Sequence, residues 1–298
     1  YGYGLSTFSK LVIGIAMSWH FVLFGRFLDR FGKGIRTSAR DALIAESSLP
    51  ENVGRSFGFH RALDTAGAVF GPLTAILLIN LLGNNNLRPI FYIALIPGCI
   101  GVLLLIVLLK EKVESESKTK LFKFNLSDLD QDFKIFLVVS TIFALGNSSD
   151  AFLILRAQSM GLTTTLTILV YVVFNMVYAL TSYSAGSLSD KIGARKLLTC
   201  SFFIFAIIYL LFGINQSAGL IWILFALYGL YMAISEGIGK AYITSISNPE
   251  VMAATFGIYQ AVVGVSTFFS SLIAGILWSK IGAGAPFVLG AILAAIAG

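Results

Sequence analysis

Two cysteines and two histidines are all that this chain of 298 residues offers a disulfide or a metal ion. Cys99 and Cys200 each sit in an apolar run and lie far apart, which excludes a disulfide framework. His20 and His60 are too few for a metal site of the usual kind, and no nucleophile–histidine–acid set is present. Neither a metal, a cofactor nor an enzymatic reaction is therefore expected. Charge is scarce as well. Charged residues make up 12% against 57% hydrophobic, with a mean hydropathy of +0.86, and this composition excludes a soluble chain. Alternating ten-residue strands are missing, which removes an outer-membrane barrel. Tyr1-Gly-Tyr-Gly carries neither an initiating methionine nor a basic leader, and Ala295-Ile-Ala-Gly298 falls inside an apolar run. A signal peptide is not expected, and both ends read as cut.

What the chain does have is apolar length. Stretches of about twenty residues, enough to cross a bilayer core, recur throughout. They predict an all-α polytopic membrane protein of about ten spans. The spans fall near 2–17, 21–46, 56–82, 89–109, 134–158, 164–185, 196–214, 218–245, 255–279 and 284–298. One connection is long. From Lys110 to Lys134 lysines alternate with acids, so the segment must be solvated; it leaves four spans before it and six after. The expected domains are 1–110, a linker at 111–133, and 134–298. If the linker is cytoplasmic, Arg55 and the Lys191, Arg195, Lys196 cluster share its side, and only Arg88, Arg156 and Lys280 lie opposite. The same bias accounts for a net charge of +6 and a pI near 9.3 without calling on nucleic acid.

Between Arg26 and Asp41 the second span carries Arg26, Asp29, Arg30, Lys33, Arg36, Arg40 and Asp41. At a helical turn of about 100° per residue these fall in a sector of roughly 140°. The opposite face keeps Phe24, Phe27, Phe31, Ile35 and Ala42. A charge in a spanning helix must face protein, water or a partner, which makes this stripe a candidate functional surface.

The chain also repeats itself. Pro50-Glu51 matches Pro249-Glu250, 199 residues on. At that offset and without gaps, Ala42, Ile44, Ser48, Phe57, Gly58, Ala62, Phe70, Leu73, Ala75 and Leu78 meet identical residues. The Pro-Glu and Phe-Gly matches lie in and just after hydrophilic turns, where greasy composition alone does not place them. Parallel repeats of this kind point to a transporter with its site between two halves near the midplane.

The most specific loop is Gly186-Ser-Leu-Ser-Asp190-Lys191-Ile-Gly193-Ala-Arg195-Lys196. An Asp near a helix end can accept backbone N–H bonds and form a latch that one conformation makes and another breaks. This spacing closely resembles the cytoplasmic loop motif of the major facilitator superfamily, which there recurs between spans two and three and between eight and nine. The resemblance implies two pseudo-symmetric helical bundles, with about ten of twelve spans present and the first two missing. The first span here corresponds to helix 3 and the charged span to helix 4. Arg26-x-x-Asp29-Arg30-x-Gly32 is similar to the helix-4 motif, with Asp29 and Arg30 replacing its Gln and first Gly; a proton-transfer role for Arg26 is what that likeness implies. Gly67-x-x-x-Gly71-Pro72 resembles the helix-5 motif of antiporters, and its small residues also suit close helix packing around a bend. Phe57-Gly-Phe-His-Arg61-Ala-Leu-Asp64-Thr-Ala-Gly67 is similar to a bacterial branch, which implies a bacterial inner membrane.

The resemblance implies a secondary transporter of a small organic solute, working by alternating access across the lipid bilayer as a monomer. Helices 4, 7 and 10 line the family's cavity, which makes Arg30, Lys33, Arg36, Arg40, Asp150, Glu236 and Lys240 cavity candidates. Arg61 and Asp64 are placed to pair along one helix, and Glu236 and Lys240 along another. Glu236, Asp41 and Asp64, with Arg26, are the proton-coupling candidates. Five bases against two acids in the charged stripe favour an anionic or zwitterionic solute. Proton-driven export and proton-driven uptake of an anionic nutrient both remain open, as does a transport-inactive receptor or scaffold.

Overall fold

With no water to bond them, backbone groups inside a bilayer must satisfy one another, so each apolar run becomes a helix. The computed structural model describes residues 2–82, 88–108 and 129–298, and their regular structure is helical throughout. In order these are α1 (Gly2–Gly14), α2 (Trp19–Ser47), α3 (Val53–Leu82), α4 (Arg88–Leu108), α5 (Gln131–Gly146), α6 (Ala151–Ser159), α7 (Thr164–Ile192), α8 (Ala194–Ile214), α9 (Ala218–Ser245), α10 (Met252–Lys280) and α11 (Ala285–Ala297). Short 3-10 turns at Pro50–Asn52 and Pro249–Val251 precede α3 and α10. Six stretches among the described residues are long and apolar enough to cross a membrane. The expected linker lies outside the described residues from 111 to 128.

Two boundaries depart from expectation. The span expected at 134–158 is interrupted, because Gly146-Asn-Ser-Ser-Asp150 offers polar side chains that compete for the backbone; α5 stops there and α6 starts afresh. The span expected at 164–185 continues through the motif loop to Ile192. It ends at Gly193, whose φ of +95° suits a residue without Cβ, and α8 begins at the next residue.

The described residues of 1–40 and 71–128 form one compact unit, and those of 41–70 and 129–298 the other. In the first unit α1 lies against α4. Tyr92 donates its hydroxyl to the Gly14 carbonyl at 3.1 Å, and Lys10, which has no charged partner on its own helix, donates to the Ala94 carbonyl at 3.4 Å. Gly32 lets α2 meet α1: a Cβ there falls 2.7 Å from the Gly2 carbonyl oxygen.

In the second unit α8, α9 and α11 pack with α5 around an aromatic core. Phe143 stacks on Phe202 at 4.4 Å and Phe205 on Tyr209 at 3.8 Å. Gly54 and Gly58 of α3 lie directly on Gly186 of α7. On the far side, a Cβ at Gly290 of α11 meets the Gly146 carbonyl oxygen at 2.5 Å and the Tyr209 ring at 2.7 Å. Replacement of Gly290 by Val must push α11 off α5, at a cost of about 1–3 kcal/mol. The expected result is a clear drop in unfolding temperature in a detergent thermal-shift assay, and an unchanged temperature contradicts it.

Candidate functional site

α2 carries the charged stripe through both units. Arg26, Arg30 and Lys33 are exposed, while Arg36 and Arg40 are half-buried. The Arg36 guanidinium lies 4.5 Å from the centre of the Tyr3 ring, a cation–π contact within the first unit. On α3, nothing among the described residues stands within 4 Å of a Cβ added at Gly67 or Gly71, and Pro72 lies inside the same helix.

The charges of the second unit pair across helices. Asp41, at the α2 end of this unit, is fully buried and meets the Lys240 ammonium of α9 at 2.8 Å. Arg61 of α3 binds Asp64 of its own helix at 3.0 Å and also Glu236 of α9. Its guanidinium sits 5.8 Å from the Tyr178 ring of α7. Arg61 and Asp64 thus pair along their helix. Glu236 and Lys240 do not: although four apart on α9, each turns to a different neighbouring helix. Lys240 is buried and Glu236 only partly so, and this arrangement gives each a counter-charge on a neighbouring helix, which a single intrahelical pair on α9 does not supply.

The repeat determines where these contacts lie. The offset of 199 carries the start of α2 onto the start of α9, the first 3-10 turn onto the second, and the start of α3 onto that of α10. It also carries Asp41 onto Lys240 and Phe57 onto Phe256. The latter two are buried rings 6.2 Å apart. A residue that touches its own equivalent lies on the axis relating the two copies. Both contacts therefore mark the pseudo-two-fold axis of this unit, although the offset, which pairs every residue with the one 199 further on, does not itself say which pairs touch.

The motif loop closes the same end. Asp190 accepts hydrogen bonds from the backbone N–H groups of Gly54 and Arg55, both at 2.8 Å. These belong to the first turn of α3, where N–H groups lack helical partners and the helix dipole favours an anion. The close seating of Gly54 on Gly186 brings carboxylate and helix end together. Lys191, Arg195 and Lys196 are exposed beside it, and Arg55 lies 5.3 Å from the Tyr183 ring.

Two cavities flank the Asp41–Lys240 pair. The inner one, about 130 Å³, is lined by Phe143, Asn147, Tyr231, Glu236, Lys240 and Gln260 among others. The wider one, about 570 Å³, lies at the loop end and is lined by Glu46, Pro50, Asp190, Arg195, Ala241 and Pro249 among others. Lys240 faces the first and its neighbour Ala241 the second. Further along α9, Tyr228 donates its hydroxyl to Asp150 at the α5–α6 break, 2.9 Å away. Gln260, Asn147, Tyr228 and Gly54 had no distinguishing signal in sequence; the charged and glycine-bounded positions did.

A family model, the Major Facilitator Superfamily, matches residues 1–155 and again 135–298. The chain belongs to the major facilitator superfamily. It is 38% identical over 305 residues to an uncharacterised MFS-type transporter of Methanocaldococcus jannaschii, covering 100% of this chain and 75% of that one. It is 25% identical over 285 residues to an uncharacterised protein of Mycobacterium bovis, covering 93% and 69%. In fold it is similar to the human organic anion transporter MFSD10, with a TM-score of 0.81 at 14% identity over 99% of this chain and 74% of that one. The proton:xylose symporter XylE gives 0.79 at 13% identity over 99% and 77%. Membership makes this an integral membrane protein of a superfamily whose work is solute transport.

A superfamily half that has drifted from its twin can exchange residues across the axis. Asp41→Lys alone, or Lys240→Asp alone, buries two like charges, and breaking such a pair costs about 3–5 kcal/mol. The double exchange restores opposite charges at equivalent positions. Thermal unfolding in detergent should fall sharply for each single variant and recover by more than half in the double; additive losses contradict the pairing.

Proposed function

We propose that this chain moves a small organic solute across the membrane by alternating access, coupled to protons and directed outward. The observation that carries this reading is the buried Asp41–Lys240 pair between two cavities, on the axis of the repeat. An ion pair without water holds while both partners stay together, and rocking of the repeats about their axis parts them. Asp190 at the first turn of α3 is then the latch of the same closed end. That end and the 111–133 linker face the cytoplasm by the excess of Lys and Arg, and the bilayer is a bacterial inner membrane. The chain is organised as 1–110, linker and 134–298, and acts as a monomer.

Glu236 lines the inner cavity and is held by Arg61, so a carboxylate and its counter-charge meet where solute arrives. Glu236 and Lys240 are the solute contacts in that cavity, with Glu236, Asp41 and Asp64 as coupling candidates; Arg26, Arg30, Lys33, Arg36 and Arg40 form a basic stripe on the first unit. Outward direction rests on the likeness of Gly67, Gly71 and Pro72 to the antiporter motif. The exposed bases Arg26, Arg30 and Lys33 favour a second reading, uptake of an anionic nutrient.

Proteoliposomes distinguish these. With an acidic lumen, an exporter working by exchange accumulates radiolabelled organic anions or cations from a small panel, and uptake by symport needs the acid outside. Asp190→Asn should slow whichever flux is seen by about tenfold or more, a barrier change of roughly 1.4 kcal/mol. Absence of any proton-linked flux across the panel counts against coupling.

A further inference from the structure

Away from its loop end, the second unit holds four acids within or between its spans, and they differ in their partners. Asp41, Asp64 and Glu236 each meet an Arg or Lys. Asp150 does not: among the described residues no lysine or arginine lies within ion-pair distance of it, and its hydrogen-bond partner is the neutral hydroxyl of Tyr228. An uncompensated carboxylate is costly inside a span, whereas the neutral acid, hydrogen-bonded, is not.

Its position adds to this. Asp150 stands half-buried where α5 has ended and α6 has not yet begun, against Leu153, Tyr171, Phe174, Phe225 and Tyr228, with no room for a water molecule in the space among them. An inorganic cation needs several oxygen ligands and space for itself; a proton needs one lone pair. Tyr228 occupies Oδ1, and Oδ2 is left for the proton. The groups facing Asp150 from its neighbours are Tyr171 on α7, Tyr228 on α9 and, beside Asn147 at the break, Tyr209 on α8. Ser271 of α10 bonds the backbone N–H of Ser149. The nearest base in sequence, Arg156, spends its guanidinium on the carbonyls of Phe212, Gly213 and Asn215. The further acid in its field is Glu236.

Hydroxyl-bearing side chains of α9 lie between it and the cavity. Tyr228, Tyr231 and Ser235 lie on one face of α9, three and four residues apart. The Tyr228 and Tyr231 rings are 5.5 Å apart, and Ser235 donates to the Tyr231 hydroxyl at 3.3 Å. Tyr231, Ser235 and Glu236 all line the inner cavity.

We propose that Asp150, rather than an ion-paired acid, is the group that takes up and releases the coupled proton. The carboxylate gains a proton on Oδ2 and becomes the neutral acid while Tyr228 keeps donating to Oδ1; release reverses the step. This rests on proton-coupled transport, but its test requires no solute. Infrared difference spectra of the purified full chain in lipid, stepped from neutral to alkaline pH so that exposed carboxylates stay ionised throughout, read the loss of a protonated carboxyl band. The band should be present in the parent, absent in Asp150→Asn, whose amide oxygen still accepts from Tyr228, and retained in Glu236→Gln. Tyr228→Phe should keep the band but move it to higher frequency, since a hydrogen bond to the carbonyl is lost. A band that survives Asp150→Asn, vanishes in Glu236→Gln, stays unmoved in Tyr228→Phe, or is missing from the parent overturns the assignment. Proton-linked solute flux is read separately, so loss of one result leaves the other standing.

Discussion

Charge without water has to find charge, and the second unit is organised by that demand. Asp41 and Lys240 pair between α2 and α9, and Arg61 pairs with Glu236 between α3 and α9. Asp41, Lys240 and Glu236 find their counter-charges only on another helix, and Arg61, paired with Asp64 on its own, finds a second one there. Once helices must meet to satisfy them, the choice of neighbour is no longer a matter of fit between apolar surfaces, which a lipid environment rewards weakly. The aromatic core of α5, α8, α9 and α11 then fills the remaining space with rings at close distances.

Glycine supplies the second constraint. Gly54, Gly58 and Gly186 bring α3 and α7 together so closely that any side chain would separate them. Only at that approach does Asp190 reach the first-turn N–H groups of α3. The loop motif and the bare helix faces are thus one device: removing either disables the other, because the carboxylate depends on distance as much as on charge.

How much of this was legible beforehand varies by physical cause. Spans, fold class and the special loop follow from local properties such as apolar length, turn glycines and spacing, and the Arg61–Asp64 pair follows from helical neighbourhood. The offset of 199 sets position 41 against 240 and 57 against 256 in sequence, but it carries no sign that either pair touches. The partners of Glu236 and Lys240 did not follow, since a cross-helix contact depends on how distant segments are brought together. The interruption at Gly146–Asp150 was written in five polar or small residues, yet the surrounding hydropathy carried a window across it. Tyr228 gives no sign in sequence of being anything other than one more aromatic in a greasy helix.

Self-contact at an axis has an evolutionary consequence. In a homodimer built from either helix pair alone, position 41 would face its own copy, placing two aspartates together, and position 240 would place two lysines together. Neither arrangement can be neutral when charged. Opposite charges at a two-fold point are open only to copies that have already become different and are tied in one chain. The Asp41–Lys240 contact is therefore a ratchet: once acquired, it forbids either half from returning to life as a symmetric dimer.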